Sequence, residues 1–477
     1  MSQKCAVITP RLKKDGLDST DMKNFRPISN LTFTSKVVEK VVAGRLLRYL
    51  AENDLLPKLQ SGFRRFHSTE TAILKVMSDI YAVVDRGEVA LLALLDVSAA
   101  FDTVDHDILL QRLATSFGIT GIAYKWFQSF VTGRFHAVCY GDTTTPSRLV
   151  RSGVPQGSVL GPILYVLYTA DVIDIVESLG LGVHLYADDT QLYASGPSIQ
   201  SLDIAGRVLK AVDLVRSWMS SNRLRLNPDK TQFSWFGTRQ QLANRDMLRL
   251  SEISPALVSE EPVRDLGVLL DSEMTLEAHV AGLCRSCFYQ LRRLRIIRHS
   301  LSRAAVSTLV HAFICNRIDY CNAALFGASA HLLDRLQSVL RAAARLILNV
   351  GKYDHITSAI RHELHWLPVP QRLQFKLCVL VRGCLKGVAP SYLDSLIKPA
   401  SGERFGRTLR STSRGDLMEP RFRTVRYGRR GFSVCAPRIW NDLPMHVRDL
   451  SISNDQFKIL LKTFFFEQSL SQHKQRF

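Results

Sequence analysis

Tyr186-Ala187-Asp188-Asp189 sets two adjacent acids between apolar, β-prone stretches, Val183 to Leu185 before them and Gln191 to Tyr193 after. Carboxylates paired at a hairpin tip repel unless a cation or a proton neutralises them, and Mg²⁺ lying between them and a phosphate would do so. An Asp-Asp pair alone is most often a solvated turn, because Asp favours turns for its local hydrogen bonds. Asp96 shifts that balance. It ends the run Val89-Ala90-Leu91-Leu92-Ala93-Leu94-Leu95, which reads as a strand buried on both faces with a carboxylate fixed at its end. Taken alone, Asp96 also fits a strand-to-helix cap. Two strands that each present acids at an edge supply the three-carboxylate cluster of two-metal phosphoryl transfer. One ion would activate a 3′-hydroxyl and the other would stabilise leaving pyrophosphate.

Between the acids lies Arg151-Ser152-Gly153-Val154-Pro155-Gln156-Gly157-Ser158-Val159-Leu160-Gly161-Pro162, with three glycines and two prolines in twelve residues. That composition specifies a shaped, partly rigid loop leading into a helical stretch from Ile163. Such a loop admits close approach of a nucleotide or template base, and Gln156 adds a side chain able to hydrogen-bond a base or sugar. A plain turn is the alternative.

Three blocks carry a family resemblance: Leu95-Asp96-Val97-Ser98-Ala99-Ala100-Phe101-Asp102, Gly153-Val154-Pro155-Gln156-Gly157-Ser158 and Tyr186-Ala187-Asp188-Asp189. In this order they resemble the reverse transcriptases of non-long-terminal-repeat retrotransposons of the LINE and jockey type. Asn24-Phe25-Arg26-Pro27-Ile28-Ser29 and Gln60-Ser61-Gly62-Phe63-Arg64 are similar to fingers motifs. Leu226-Asn227-Pro228-Asp229-Lys230-Thr231 resembles the lysine motif after the catalytic hairpin, and Val263-Arg264-Asp265-Leu266-Gly267-Val268 the primer-grip hairpin. The similarity covers about residues 7 to 275 and continues more loosely to the C-terminus.

The resemblance implies an RNA-directed DNA polymerase extending a primer 3′-hydroxyl with deoxynucleoside triphosphates on an RNA template, using two Mg²⁺ ions, with Mn²⁺ as a substitute. Asp96, Asp188 and Asp189 would carry the metals with the backbone carbonyl of Val97, in keeping with octahedral oxygen ligation. Phe101 would form a floor under the sugar that clashes with a ribose 2′-hydroxyl; ordinary core packing is its other reading. Gln156 and Gly157 would line the nucleotide pocket. Arg64 and Arg65 would hold the triphosphate, or else form a solvated surface. Lys230 would donate a proton to leaving pyrophosphate, although most lysines are simply exposed. Leu266 and Gly267 would grip the primer. The family's usual apurinic-type endonuclease is not found before Cys5, so the resemblance implies a 5′-truncated copy or a partial gene model. A catalytically silent, retroelement-derived nucleic-acid-binding protein is the alternative function.

Length and composition bound the fold. A chain of 477 residues exceeds the usual single-domain size. With 46% hydrophobic and 22% charged residues it is a folded globular protein. A net charge of +19 implies a polyanionic partner, nucleic acid first; the resemblance implies that this is an RNA template and a DNA primer or target. No apolar run reaches the length of a membrane span and the N-terminus lacks a signal-peptide core, so a soluble, intracellular chain is expected; the family resemblance implies action in the nucleus at the site of integration.

The expected fold is α+β, a right-hand polymerase. Fingers and a split βαβ palm run to about 275, a helical thumb spans 276–350, and a mostly helical basic region spans 351–477. The palm pattern predicts helices over about Ile108 to Leu113, Ala123 to Val131 and Ser201 to Asn222. A stripe through Val37-Val38, Val41-Val42, Leu46-Leu47 and Leu50 reads as core packing. Nine cysteines without a secretory signal argue for reduced thiols, and Cys284 and Cys287 read as buried thiols in a helix rather than zinc ligands. Arg285 to Arg303 carries six arginines and no acid, a basic face for a duplex backbone or a merely solvated helix. Nine arginines lie between Arg404 and Arg430 among Phe405, Phe422, Tyr427 and Phe432. Arg421, Arg423, Arg426, Arg429 and Arg430 are expected to contribute to RNA affinity.

Overall fold

The computed structural model describes residues 4–14, 16–400 and 415–474. Arg404, Phe405, Arg407, Arg410 and Arg414 lie outside the described residues. The chain forms two compact units, neither continuous in sequence. The first comprises residues up to Arg65, Ala93–Ala194 and Gly206–Gln232; the second comprises Phe66–Leu92, Ser195–Ala205 and Phe233–Phe477.

The first unit is α+β. Strands β1 (Cys5–Leu12) and β2 (Phe25–Asn30) pair antiparallel, and helix α1 (Phe33–Glu52) follows, its N-terminus capped by Thr32, whose side chain accepts from the Ser35 amide. Strand β3 (Val89–Leu95) enters this unit with its last residues, and β4 (Val97–Ser98) continues from it. Six of the seven β3 side chains are buried, as a two-sided apolar run requires. Helices α2 (His106–Thr115) and α3 (Gly121–Val131) lead to β5 (Arg134–Tyr140), β6 (Thr143–Thr144) and β7 (Arg148–Val150). Strand β5 runs parallel to β1 and antiparallel to β6 and β7. Helices α4 (Gly161–Tyr168) and α5 (Asp171–Glu177) then precede the hairpin of β8 (Gly182–Tyr186) and β9 (Asp189–Gly196). Strands β3, β9 and β8 are successive neighbours in one sheet. Helix α6 (Ser201–Ser221) leads to β10 (Arg225–Leu226), which pairs antiparallel with β4. Leu109, Leu113, Leu164, Leu167, Val172, Leu192, Val208 and Val215 are buried and build the core.

The expected helices thus form, each extending a few residues beyond or short of its predicted bounds. The stripe on α1 holds at Leu46 and Leu50 but is corrected at its valines. Val37, Val38 and Val41 are 46%, 42% and 56% exposed, and the buried positions are Ser35, Glu39, Ala43, Leu46 and Leu50. The helix has turned a face containing the Glu39 carboxylate inward.

The second unit is largely helical. Its hairpin Val263–Asp265 and Val268–Leu270 is followed by helices Glu277–Ile296, Arg303–Val310, Ala330–Leu348, Val369–Leu385, Phe432–Asn441 and Asn454–Lys474. Cys284 and Cys287 are buried in the first of these, and all nine cysteines are free thiols. Arg285, Arg292, Arg293, Arg295 and Arg303 are exposed, whereas Arg298 donates to the Leu346 carbonyl at 2.9 Å and the Ile347 carbonyl at 3.4 Å, satisfying the end of helix Ala330–Leu348. No described helix is long and apolar enough to cross a membrane.

Candidate active site

The register of β8 and β9 pairs Tyr186 with Asp189, so Ala187 and Asp188 form a two-residue turn. Asp189 is the first residue of β9. Asp96 separates β3 from β4, and β10 pairs along β4, with the Asn227 amide donating to the Asp96 carbonyl at 2.9 Å. A single turn over Pro228–Lys230 then returns Lys230 to Asp96, placing Nζ 2.9 Å from Oδ2. Asn227 caps this turn through its side chain, which accepts from the Asp229 amide, and Pro228 suits the first turn position.

The three acids act on one another. Asp189 keeps an edge open to solvent, but loss of water around it, with the charges of Asp188 and Asp96, pushes its carboxyl up to about 6. Asp188 is also raised, by desolvation first and then by Asp96, against the opposing pull of Arg26 and Lys230. Among the described residues, no three acid, imidazole or thiol side chains are drawn tightly around one point. The donor set nonetheless fits a hard divalent cation: crowded carboxylate oxygens, plus the carbonyl of buried Val97. The Lys230 ammonium shows that Asp96 takes a positive charge in this position.

Phe101 lies half-buried, its ring 4.9 Å from that of Tyr165 and 6.3 Å, edge-on, from that of Phe63. Tyr165 is fully buried beneath it, and burial together with Asp188, Asp189 and Asp96 raises its hydroxyl. Sequence reasoning missed Tyr165, which sits in an uninterrupted apolar run and carries no polar signal.

The glycine-rich loop is fixed from several sides. The Gly153 and Val154 amides donate to the carbonyls of Val104 and Phe101 at 2.7 and 2.8 Å. Gln156 Nε2 donates to Asp102 Oδ2 at 2.8 Å, and the Gln156 carbonyl accepts from the Ser29 amide at 2.7 Å. Gly157 has φ +121°, and a Cβ there would stand 2.6 Å from the Ser29 carbonyl oxygen; only glycine tolerates this. Glu39, turned inward from α1, accepts from Ser158 Oγ at 2.6 Å and from the Val159 and Leu160 amides at 2.7 and 3.2 Å. It therefore satisfies the open amides leading into α4. Nothing in the periodicity of α1 marked this role.

Arg64 donates to the carbonyls of Pro57 and Gln60, stabilising its own turn, and Arg65 is exposed. Leu266 and Gly267, in the second unit, form a two-residue turn with φ +42° and +89°. The Leu266 carbonyl accepts from the Tyr320 hydroxyl at 2.7 Å.

The family model for reverse transcriptase (RNA-dependent DNA polymerase) matches residues 12–270, which include Asp96, Phe101, Gln156, Asp188, Asp189 and Lys230. The chain belongs to the reverse transcriptase family. Similar proteins include the probable RNA-directed DNA polymerase from transposon BS of Drosophila melanogaster, 28% identical over 303 residues, 62% of this chain and 32% of that protein. The RNA-directed DNA polymerase from mobile element jockey of the same fly is 27% identical over 277 residues, 57% of this chain and 29% of the relative. That from transposon X-element is 27% identical over 354 residues, 71% and 37% of the two chains. The chain spans about a third of the length of these relatives, and the jockey-type resemblance agrees with them. A telomerase from Candida tropicalis, solved with a fragment of telomeric RNA, overlaps 97% of this chain and 64% of its own at 10% identity and a TM-score of 0.45. Reverse transcriptases generally use divalent metal ions and act on nucleic acids.

Proposed function

We propose that this chain is an RNA-directed DNA polymerase that extends a primer 3′-hydroxyl with deoxynucleoside triphosphates on an RNA template during retrotransposition. The observation that carries the reading is the placing of Asp96 at the end of β3 and of Asp188 and Asp189 at the turn of the β8–β9 hairpin beside it in one sheet, within a chain of this family. Asp96, Asp188, Asp189 and the Val97 carbonyl would hold two Mg²⁺ ions. When bound, such ions supply charge neutralisation at the phosphates and acidify the primer hydroxyl.

The chain's own residues supply orientation and selection. Phe101, supported from below by Tyr165, places a flat face under the sugar and excludes a 2′-hydroxyl. Gln156 has its amide nitrogen bound to Asp102, which leaves its carbonyl oxygen to accept from the nucleotide or template. Lys230 holds a proton at Nζ beside Asp96, from which it would protonate pyrophosphate. Arg64 and Arg65 would meet the triphosphate and the Leu266-Gly267 turn the primer. Residues 276–350 would serve as a thumb and 351–477 as a nucleic-acid-binding region, with the reaction taking place in the nucleus.

Primer extension on a polyribonucleotide template with a labelled deoxynucleotide tests this reading. Incorporation lost in both Asp188→Ala and Asp96→Ala is expected. A soluble, folded, RNA-binding wild type that incorporates nothing would leave a nucleic-acid-binding protein instead.

A further inference from the structure

Ala187 must hold a left-handed backbone, φ +58°, which a residue with a Cβ disfavours. It stands directly before Asp188, so its conformation aims both carboxylates of the hairpin. Gln60 grips this residue at both of its backbone polar groups. Its Oε1 accepts from the Ala187 amide at 2.9 Å, and its Nε2 donates to the Ala187 carbonyl at 3.2 Å. Oε1 also accepts from the Gly62 amide at 2.7 Å. A side-chain amide offers a donor and a two-lone-pair acceptor together, which neither a carboxylate nor an apolar chain can do.

The surrounding backbone is built for this grip. The Leu185 amide donates to the Leu59 carbonyl and the Ser61 amide to the Leu185 carbonyl, each at 2.8 Å, so that residues 59–61 run alongside β8. Ser61 Oγ and His184 Nε2 are 2.9 Å apart. A Cβ on Gly62 would collide with the Ala187 backbone. The same segment continues into Phe63, which meets Phe101, and into Arg64, which donates to the Gln60 carbonyl at 3.1 Å.

We propose that Gln60 is a positioning residue for the carboxylate hairpin, holding Ala187 in its left-handed conformation so that Asp188 and Asp189 are presented together. The proposal rests on the polymerase reading above for its kinetic consequence. Gln60 is 1% exposed, so it touches no substrate and should act on turnover rather than on nucleotide affinity.

The test compares the wild-type chain, Gln60→Met and Gln60→Glu in single-nucleotide incorporation, in Mn²⁺ binding followed by electron paramagnetic resonance, and in amide exchange over residues 186–190. With folding verified by circular dichroism, Gln60→Met should lower kcat by about 10- to 100-fold, the range a small misplacement of reacting groups produces. KM for the deoxynucleotide should stay near the wild-type value, Mn²⁺ should bind more weakly and exchange at the hairpin should quicken. Gln60→Glu keeps the acceptor and loses the donor, so its fall should be smaller. In an Ala187→Gly background, where the left-handed conformation is no longer disfavoured, Gln60→Glu should cost less still. Should Gln60→Met fail to fold, the Gln60→Glu pair of backgrounds decides, and an equal cost in both overturns the proposal. Unchanged kcat, Mn²⁺ affinity and exchange in folded Gln60→Met also overturns it, as does a raised KM at constant kcat. A wild type that incorporates nothing counts against the polymerase reading alone, because Mn²⁺ binding and exchange still report on the clamp.

Discussion

Lys230 and Asp96 form an ion pair at 2.9 Å, although 134 residues separate them; the pairing of β10 with β4 closes that distance. The ammonium also lowers the proton affinity of Asp188 and Asp189. Lys230→Met should therefore have two effects. Turnover should fall by about 10²-fold or more, the usual scale of a lost general acid. The acid limb of the pH–rate profile should also move to higher pH, because the carboxylates become harder to ionise. A rate and profile matching wild type would remove Lys230 from both roles.

Asp189 ties stability to pH. Its folded-state value of about 6 lies above the ordinary 3.8, so the native protein binds the proton more tightly than the unfolded chain. The stability this contributes is fully present below about pH 3.8 and is lost as pH rises through about 6. Asp189→Asn, a neutral mimic, should melt at a higher temperature than wild type at pH 7.5 in chelator, and at the same temperature near pH 4. Added Mg²⁺ should stabilise wild type more than the variant, since the ion binds the folded protein. Equal melting at pH 7.5 in chelator would show that the carboxylates do not strain one another.

Much of this site was legible because its physics is local. The apolar run of β3, a carboxylate at its end and a two-residue turn between β-prone stretches are each written in consecutive residues, as are the glycines of the 153–157 loop. What was missed depends on contacts between distant segments. Glu39 looks like a solvent residue in a valine-rich helix, and tracing the valines put Val37, Val38 and Val41 inside. The Ser158 hydroxyl and the Val159 and Leu160 amides draw the carboxylate inward instead, and the valines face water. Gln60 likewise looks like one more polar residue of a fingers motif, since the left-handed turn it grips lies 127 residues away.

Glu39 should accordingly matter to stability more than its place on a helix suggests. It is 1% exposed and accepts from three groups of the loop before α4 as well as from Ser35 Oγ at 3.1 Å. Glu39→Ala takes the acceptor from the Ser158 and Ser35 hydroxyls and the Val159 amide, leaving the Leu160 amide only its contact with Ser158 Oγ, at a cost of about 2–4 kcal/mol. Urea unfolding measures this directly, and a loss of under about 0.5 kcal/mol, the level of an ordinary surface substitution, would contradict the assignment.

The C-terminal arginines divide into two groups. Arg421, Arg423 and Arg426 are exposed, and replacing them with Gln should weaken RNA binding and flatten its dependence on salt, as fewer counterions are released. Arg430 is different: it is 7% exposed, donates to the Met274 carbonyl at 2.6 Å and the Phe326 carbonyl at 3.3 Å, and lies over the Tyr81 ring at 4.8 Å. Sequence alone groups it with the RNA-binding arginines, because charge density does not distinguish a buried guanidinium from a solvated one. Arg430→Gln should destabilise the second unit by about 2–4 kcal/mol, the scale of breaking a buried charged network. At temperatures where the variant remains folded, its RNA affinity should match wild type. Filter binding across a salt series, paired with thermal melts, separates the two groups; a folded Arg430→Gln that binds RNA weakly with normal stability would return this residue to the binding surface.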